Sequence, residues 1–168
     1  DKVSAGCKNC YAERDWKRLS ANPKSVYYQR AFTDVQSHPE RLEQPLRWRD
    51  PRMIFVNSMS DLFHKDISDD FIAEVFAVMA MAKEHTFQVL TKRADRLSLL
   101  SDLAFQDKVA WQIGEFSEKK GWCVDLDEWP LPNVWLGVSV EHQVAAHERI
   151  HSLLEAQAAI RWISAEPL

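Results

Sequence analysis

The sequence MIFVNSMSD at residues 53–61 decides the fold class of this chain. Its first four residues form a short apolar run that is typical of a buried strand, and a polar stretch follows at once. Ser68, followed by two aspartates, then gives the N-terminal cap of a helix whose apolar residues recur at helical spacing to about Lys83. A strand, a polar loop and a helix in this order predict one β/α unit.

The same alternation continues along the chain. It predicts strands at residues 86–90, 134–140 and 160–164 and helices at residues 93–103 and 145–154. Such strands pair in parallel through right-handed crossovers. Because polar residues end every strand, we expect an α/β fold of the partial (β/α) barrel type, with its site on the loops that leave the strands. An open doubly wound sheet is the structural alternative, although the sequence has no G-x-G-x-x-G motif.

Two segments interrupt this alternation, and we interpret them as irregular insertions within a single domain that spans residues 1–168. Residues 21–51 include a short helix predicted to start at Pro39, and we expect this segment to pack across the barrel. Residues 102–133 contain two glycines, Cys123 and three tryptophans. We expect the tryptophans to pack in the core or in the insertions, with stacking on flipped-out bases as the alternative. We expect Cys123 to be a buried or idle thiol.

Composition excludes several classes of protein. The 168 residues are 46% apolar and 27% charged, which is typical of a globular domain and not of a disordered chain. A formal net charge of -4 gives no general attraction to DNA or anionic lipid. No apolar run approaches the ~20 residues of a membrane span, and three cysteines do not make a disulfide scaffold. We therefore expect a soluble cytoplasmic protein.

Cys7 and Cys10 lie three residues apart at the predicted start of a helix, where backbone amides and the helix dipole favour thiolates. This spacing alone leaves three interpretations open: a metal or iron–sulfur site, a redox-active dithiol, and ordinary reduced thiols. A zinc site needs two more ligands, and the sequence has no second C-x2-C or H-x3-H pair. Three cysteines can also hold a [4Fe–4S] cluster with one iron open to a cofactor.

Six long segments carry a resemblance to a known family: KVSAGCKNCYAE at 2–13, PLRW at 45–48, IFVNSMSDLFH at 54–64, FQVLTKR at 87–93, LPNVWLGVSVE at 131–141 and SAEPL at 164–168. They resemble phage and prophage proteins of unknown function that carry a three-cysteine motif and are grouped with radical-SAM-like proteins. The resemblance covers nearly the whole chain. It implies a radical-SAM type of (β/α) barrel, also called TIM-barrel-like, with a [4Fe–4S] cluster and S-adenosylmethionine as cofactors.

The resemblance also implies that the chain is a fragment, a partial barrel truncated at both ends. The family's first cysteine falls immediately before Asp1, which gives a C-x6-C-x2-C spacing instead of the commoner C-x3-C-x2-C, and the family's chain continues beyond Leu168. The order of elements is similar to that of spore photoproduct lyase and its relatives. By this resemblance Cys7 and Cys10 are metal ligands, and Tyr11 packs near the adenine of the cofactor or, alternatively, in the core.

Other cofactor-binding candidates follow from their positions at the strand ends. Ser58, Ser60 and Asp61 could bind the methionine ammonium by charge-assisted hydrogen bonds, or form only a turn with a helix cap. Lys92 could pair with the methionine carboxylate, and Arg93 could do the same or bind a substrate phosphate. Solvent-facing side chains are the alternative for both.

Three further candidates lie at the same predicted mouth. Ser139 and Glu141 could contact ribose hydroxyls, although Glu141 could instead cap the next helix, and Glu166 faces the same mouth. Two residues are catalytic candidates. His64 is a candidate for proton transfer, with a structural hydrogen bond as the alternative. Asp61 is the other catalytic candidate.

The function that the resemblance implies is an iron–sulfur, S-adenosylmethionine-dependent radical enzyme of the lyase or oxidoreductase type. Its substrate is unknown, with a nucleic-acid base or nucleotide as the first candidate, and it needs a reducing partner such as flavodoxin or ferredoxin. The alternative is a non-catalytic metal-binding interaction module of phage origin.

Overall fold

The computed structural model describes residues 2–4, 7–8 and 10–166. Strands and helices alternate from residue 53 onward. The strands are β1 (Met53–Val56), β2 (Thr86–Thr91), β3 (Val134–Val140) and β4 (Ile160–Ala165). The helices are α1 (Tyr11–Ser20), α2 (Pro39–Leu42), α3 (Asp69–Met81), α4 (Leu103–Lys120) and α5 (Gln143–Glu155), with 3₁₀ helices at Pro45–Arg47 and Ala94–Ser101.

The four strands form one parallel sheet in the order β1-β2-β3-β4. The register aligns Val56 with Val89, Val89 with Leu136, and Leu136 with Arg161. The predicted α/β architecture with parallel strands is therefore confirmed. β1 and β4 are the two edges, and the sheet is not closed within the part of the chain that the structure describes.

One face of the sheet carries the hydrophobic core. Val89, Leu136 and Val138 are at most 1% exposed, and they share an apolar cluster with Ile72 and Phe76 of α3. Each such side chain contributes ~1.5–3 kcal/mol when it is fully buried. The predicted cap of α3 is also confirmed, because the Ser68 hydroxyl accepts a hydrogen bond from the backbone N–H of Phe71 at 3.2 Å.

The opposite face of the sheet, termed the open face below, is also apolar, but its large side chains lie outside the core cluster. Phe55 is 43% exposed and Met53 is 62% exposed. Strand alternation and register place on this face Met53, Phe55, Thr86, Gln88, Leu90, Trp135, Gly137, Ser139, Ile160, Trp162 and Ser164.

The interpretation of residues 102–133 as irregular is wrong for residues 103–120, which form the 18-residue helix α4. Asp102 caps its start by accepting from the N–H of Ala104, and Gly121 ends it in the left-handed conformation at φ 65°. Phe105 of α4 packs edge-on against Phe76 of α3, with ring centroids 5.9 Å apart. No helix in the described residues, α4 included, is long and apolar enough to cross a membrane.

The tryptophans divide between buried and exposed positions. Trp129 packs against the core as expected, whereas Trp111 and Trp122 are 62% and 44% exposed, so the packing prediction is wrong for these two. Cys123 is also exposed and not buried. In the 21–51 segment the short helix predicted at Pro39 is confirmed as α2.

Gly137 gives a test of how the open face is packed. A Cβ added to Gly137 would lie 2.5–2.7 Å from three ring atoms of Trp162. Gly137→Ala should therefore lower the free energy of unfolding by about 1–3 kcal/mol, measured by urea denaturation. Gly114→Ala is the control, because nothing lies within 4 Å of its added Cβ and alanine favours the helix. Equal stability changes of the same sign in both variants would contradict this packing.

Candidate functional site

The carboxyl ends of the four strands lie at one edge of the sheet, because all four strands are parallel. This edge carries residues 57–61 after β1, 91–93 at the end of β2, 139–141 at the end of β3 and 164–166 at the end of β4. The backbone N–H of Glu166 donates to the carbonyl of Val140 at 2.8 Å, which continues the pairing of β3 and β4 past the last strand residue. The structure thus brings the predicted strand-end residues to one side of the sheet.

The cysteine loop approaches the same edge. Cys10 is the N-cap residue of α1, and the hydroxyl of Tyr11 donates a hydrogen bond to the backbone carbonyl of Ser58. Neither Cys7 nor Cys10 forms a disulfide, and both are half-buried. The predicted position of this pair at a helix start is therefore confirmed, and one hydrogen bond ties the loop to the turn after β1.

The charge of Lys92 acts on the thiol of Cys7. Burial raises the pKa of the Cys7 thiol, but the backbone of Ser4 and Val3 and the charge of Lys92 outweigh it, so the pKa lies below its ordinary value. The pKa of Tyr11 is raised, first by burial and then by the nearby Cys10 and Glu166. These influences connect the cysteine loop to the ends of β2 and β4.

Asp61 is the most heavily bonded side chain at this edge. One carboxylate oxygen accepts from the Thr91 hydroxyl at 2.7 Å and the Phe63 N–H at 3.0 Å. The other accepts from the Lys92 N–H at 3.1 Å and from Arg93 Nη1 at 3.0 Å. The carboxylate therefore joins the loop after β1 to the end of β2, and its four donors all belong to the protein.

Arg93 and Thr91 complete this hydrogen-bonded group. The Arg93 and Asp61 side chains are only 15% and 13% exposed. The Thr91 hydroxyl, which donates to Asp61, also accepts from the backbone N–H of Arg93 at 2.9 Å. Thr91 was not predicted as a site residue. The sequence feature that could have indicated it is its position between a buried strand and two basic residues.

His64 is held in a buried position next to this group. It is 5% exposed, and its Nδ1 accepts from the backbone N–H of Asp66 at 3.1 Å, so the neutral ring carries its proton on Nε2. Burial and the nearby Arg93 lower the pKa of His64, against the raising effect of Asp66 and Asp61. The loop around it is fixed by Arg96, whose guanidinium donates to the carbonyls of residues 63, 64 and 67.

Glu141 is paired across the end of β3. Its side chain is 2% exposed, and one oxygen lies 2.8 Å from Nη1 of Arg149, which also donates to the Ser139 carbonyl at 2.7 Å. The predicted alternative that Glu141 caps α5 is wrong, because the Nδ1 of His142 accepts from the N–H of Ala145. Arg149 was missed by the sequence analysis.

The pKa of Glu141 is lowered. Burial alone would raise this pKa, but Ser4, Arg149 and Lys92 together outweigh burial. The buried Ser4 hydroxyl has no partner of ordinary hydrogen-bond geometry among the described residues, yet it lies close enough to favour the charged carboxylate. Glu141 and Cys7 thus share two neighbours, Ser4 and Lys92.

The remaining predicted residues lie at the solvent side of the same edge. Ser58 and Ser60 are exposed, in a turn that begins at Asn57 with φ 62°. The Ser164 hydroxyl donates to a carboxylate oxygen of Glu166 at 2.7 Å. Within the described ranges, no three His, Cys, Asp or Glu side chains are grouped closely enough to hold a metal ion.

A comparison with family models matches the whole sequence, residues 1–168, to a family described as "Protein of unknown function (DUF5131)". The chain belongs to the DUF5131 family. Neither the curated proteins nor the solved structures include a significant match to it.

The buried Glu141 predicts a pH-dependent stability difference in the DUF5131 protein. A glutamate whose folded pKa is lowered stabilises the fold above its unfolded pKa of about 4.3, and this contribution is lost as pH falls through the lower, folded value. Glu141→Gln should cost about 1–3 kcal/mol of unfolding free energy at pH 7 and much less at pH 3, measured by urea denaturation. Glu148→Gln, at an exposed position of α5, is the control. A Glu141→Gln deficit that stays constant from pH 7 to 3 would contradict the charged pair.

Proposed function

We propose that this protein is an iron–sulfur, S-adenosylmethionine-dependent radical enzyme. The observation that carries the proposal is the position of the cysteine loop, which Tyr11 ties to Ser58 at the carboxyl edge of a parallel sheet. In parallel α/β folds this edge is where active sites lie. At the same place the charge of Lys92 acts on Cys7, and the charge of Glu166 acts on Tyr11.

The proposed fold is a partial (β/α) barrel. Parallel sheets are normally covered on both faces, and the open face of this sheet is apolar with Phe55 and Met53 substantially exposed. Further strands that curve over this face would bury it, as the interior of a barrel is buried. The rings of Phe55 on β1 and Trp162 on β4 already meet over this face, with centroids 6.3 Å apart.

Cys7 and Cys10 supply two of the three thiolates that a [4Fe–4S] cluster needs. Both are free of disulfides, and the lowered pKa of Cys7 suits a metal ligand. The resemblance assigns the third thiolate to a cysteine immediately before Asp1, so the proposal applies to a chain that carries it. When bound, the cluster would supply one low-potential electron that cleaves the sulfonium of S-adenosylmethionine, leaving methionine and a 5′-deoxyadenosyl radical.

The side chains of this edge then have distinct roles. We assign Lys92 to the carboxylate of the cofactor, because its charge already acts on both Cys7 and Glu141. Asp61 accepts four hydrogen bonds from the protein, so its role is to position Lys92 and Arg93 rather than to bind the ammonium. We assign the ammonium of S-adenosylmethionine to the exposed Ser58 and Ser60, and its ribose to Ser139 and Glu166.

His64 is assigned to proton transfer, because it is buried beside the charged Arg93 and Asp61 at this edge. Arg93 is mostly buried against Asp61, which favours a structural role over substrate binding. For the substrate, the likeness to a DNA-repair lyase points to a nucleic-acid base or nucleotide, and this rests on analogy alone. Flavodoxin or ferredoxin is the proposed type of reductant.

The test is anaerobic reconstitution of the protein that includes the family's first cysteine, with iron and sulfide counted. After reduction it should convert S-adenosylmethionine to 5′-deoxyadenosine and methionine, detected by liquid chromatography. Cys7→Ala and Cys10→Ala should abolish the cluster and the cleavage. Lys92→Ala should keep the iron content but weaken S-adenosylmethionine binding about tenfold or more, because a hydrogen bond to a charged group contributes ~1.5–3 kcal/mol.

Lys119→Ala, on the exposed surface of α4, is the matched control and should leave binding unchanged. Cleavage that persists in Cys10→Ala would contradict the proposal. So would a wild-type protein with a complete cluster that does not cleave S-adenosylmethionine, and this result would favour a metal-binding interaction module.

A further inference from the structure

The first 52 residues of the chain differ in charge from the rest. They contain 11 of the 21 lysines and arginines but only 7 of the 25 aspartates and glutamates, which gives them a net charge of +4. The remainder of the chain therefore has a net charge of -8. The overall charge of -4 thus conceals a local surplus of positive charge near the cysteine loop.

Helix α1 carries part of this surplus on one face. Lys17 and Arg18 lie three and four residues after Arg14, and all three side chains are exposed. Side chains at these spacings are neighbours on a helix, with Cβ atoms ~5–6 Å apart. The three cations therefore lie together, and we term them the basic stripe.

The opposite side of α1 is packed against the segment that follows the helix. Ala12 is 4% exposed, and the ring of Trp16 lies 4.9 Å from that of Tyr27 and 5.4 Å from that of Phe32, measured between centroids. The indole N–H of Trp16 also donates to the carbonyl of Arg30 at 2.9 Å. Because these contacts fix the rotation of the helix about its axis, the basic stripe is held toward solvent.

The cations of the basic stripe have no partner in the part of the chain that the structure describes. No ion pair or side-chain hydrogen bond joins Arg14, Lys17 or Arg18 to a described residue. The neighbouring Glu13 is paired with Lys2, at 2.8 Å. Three uncompensated positive charges on one face favour an anionic partner.

The basic stripe begins close to the candidate site. Helix α1 starts directly after Cys10, and the backbone N–H of Arg14 donates to the Cys10 carbonyl at 3.1 Å. Arg14 is thus about one helical turn, or ~6 Å along the axis, from this cysteine. Tyr11 ties the same turn to Ser58 at the carboxyl edge of the sheet. A partner bound along the stripe would therefore lie near the edge at which the proposed reaction takes place.

The packing of α1 favours a nucleic acid over an anionic membrane as this partner. A helix that binds a bilayer inserts a free apolar face, and the apolar face of α1 is already packed against Tyr27 and Phe32. A nucleic acid needs only exposed cations, because duplex phosphates carry one charge per ~1.7 Å of axis.

An aromatic ring beside the basic stripe favours the same partner. Tyr28 is 41% exposed. It lies at the C-terminal end of α1, because the backbone N–H of the next residue, Gln29, donates to the Ser20 carbonyl at 2.9 Å. Exposed aromatic rings next to cations are typical of surfaces that bind single-stranded nucleic acids.

We propose that the basic stripe binds the phosphate backbone of a nucleic-acid substrate and so holds that substrate at the carboxyl edge of the sheet. The inference rests on the proposed function for the reaction at this edge, but the binding itself needs neither the cluster nor S-adenosylmethionine. DNA and RNA present the same phosphates to the stripe, so separate probes distinguish them.

The experiment is fluorescence anisotropy with labelled single-stranded DNA, its duplex and single-stranded RNA of the same sequence, over about 50 to 200 mM salt. At least one probe should bind, with an affinity that falls as salt rises. The triple variant Arg14→Gln, Lys17→Gln and Arg18→Gln should weaken this binding about tenfold or more. It should also reduce the slope of log K against log salt concentration by about 2 for a single strand or about 3 for a duplex, because each phosphate contact contributes about 0.7 or 0.9.

The matched control is the triple variant Lys83→Gln, Lys108→Gln and Lys119→Gln. It removes the same net charge from three exposed lysines, each of which is paired with an acidic side chain. It should leave the slope unchanged. If the stripe variant does not fold, as judged by its urea transition, Lys17→Gln alone replaces it, with an expected reduction in slope of about 1. The proposal is overturned if no oligonucleotide binds, or if the stripe variant and the control bind alike.

Vesicles of equal parts phosphatidylcholine and phosphatidylserine test the other partner. Binding to these vesicles without binding to any oligonucleotide would overturn the proposal in favour of a membrane surface. Oligonucleotide binding by a reconstituted protein that does not cleave S-adenosylmethionine would retain the stripe and reject the radical enzyme. Cleavage without oligonucleotide binding would retain the enzyme and reject the stripe.

Discussion

Parallel pairing of four consecutive strands is the constraint on which the rest of this structure depends. A parallel pair cannot be joined by a tight turn, so each strand must be followed by a crossover that returns the chain to the opposite end of the sheet. Every loop that leaves a strand therefore emerges at the same edge. Residues that are 30 or more positions apart in sequence, such as Asp61 and Thr91, become neighbours there. The Asp61 carboxylate then connects the loop after β1 to the end of β2, so that the geometry of one loop depends on the other.

Charge at this edge is arranged so that most groups have a partner within the protein. Glu141 is almost completely buried, and burial of a carboxylate is costly unless a cation and hydrogen bonds compensate for it. Arg149 supplies the cation from the second turn of α5 and also binds the backbone of β3. Lys92 acts on both Glu141 and Cys7, so one ammonium favours the charged form of two groups. A thiolate at Cys7 is therefore stabilised by the same charge balance that stabilises the end of β3.

How much of this structure the sequence predicted depends on how far apart in sequence the residues that form each feature lie. Buried parallel strands are short continuous apolar runs, so β1 to β4 were recognised from a few residues each. Helix α4 was missed because its buried residues, Phe105, Val109 and Ile113, form one narrow stripe, while Gly114 and the outward Trp111 interrupt the pattern. Strand-end residues were predicted by position alone. Their partners were not, because Arg96 and Arg149 reach across elements and no local pattern encodes that contact.

The same alternation that builds the core also shapes the candidate site. Along β3, Leu136 and Val138 enter the core, so Gly137 and Ser139 must face the open side. A shift of one residue in this strand would exchange the two sets and would bury Ser139 in the apolar cluster while exposing Val138. Selection for a well-packed core therefore also fixes which small side chains face the carboxyl edge. Because Trp162 can lie this close to the sheet only where β3 has no Cβ, the position of Gly137 also determines where the indole packs on the open face.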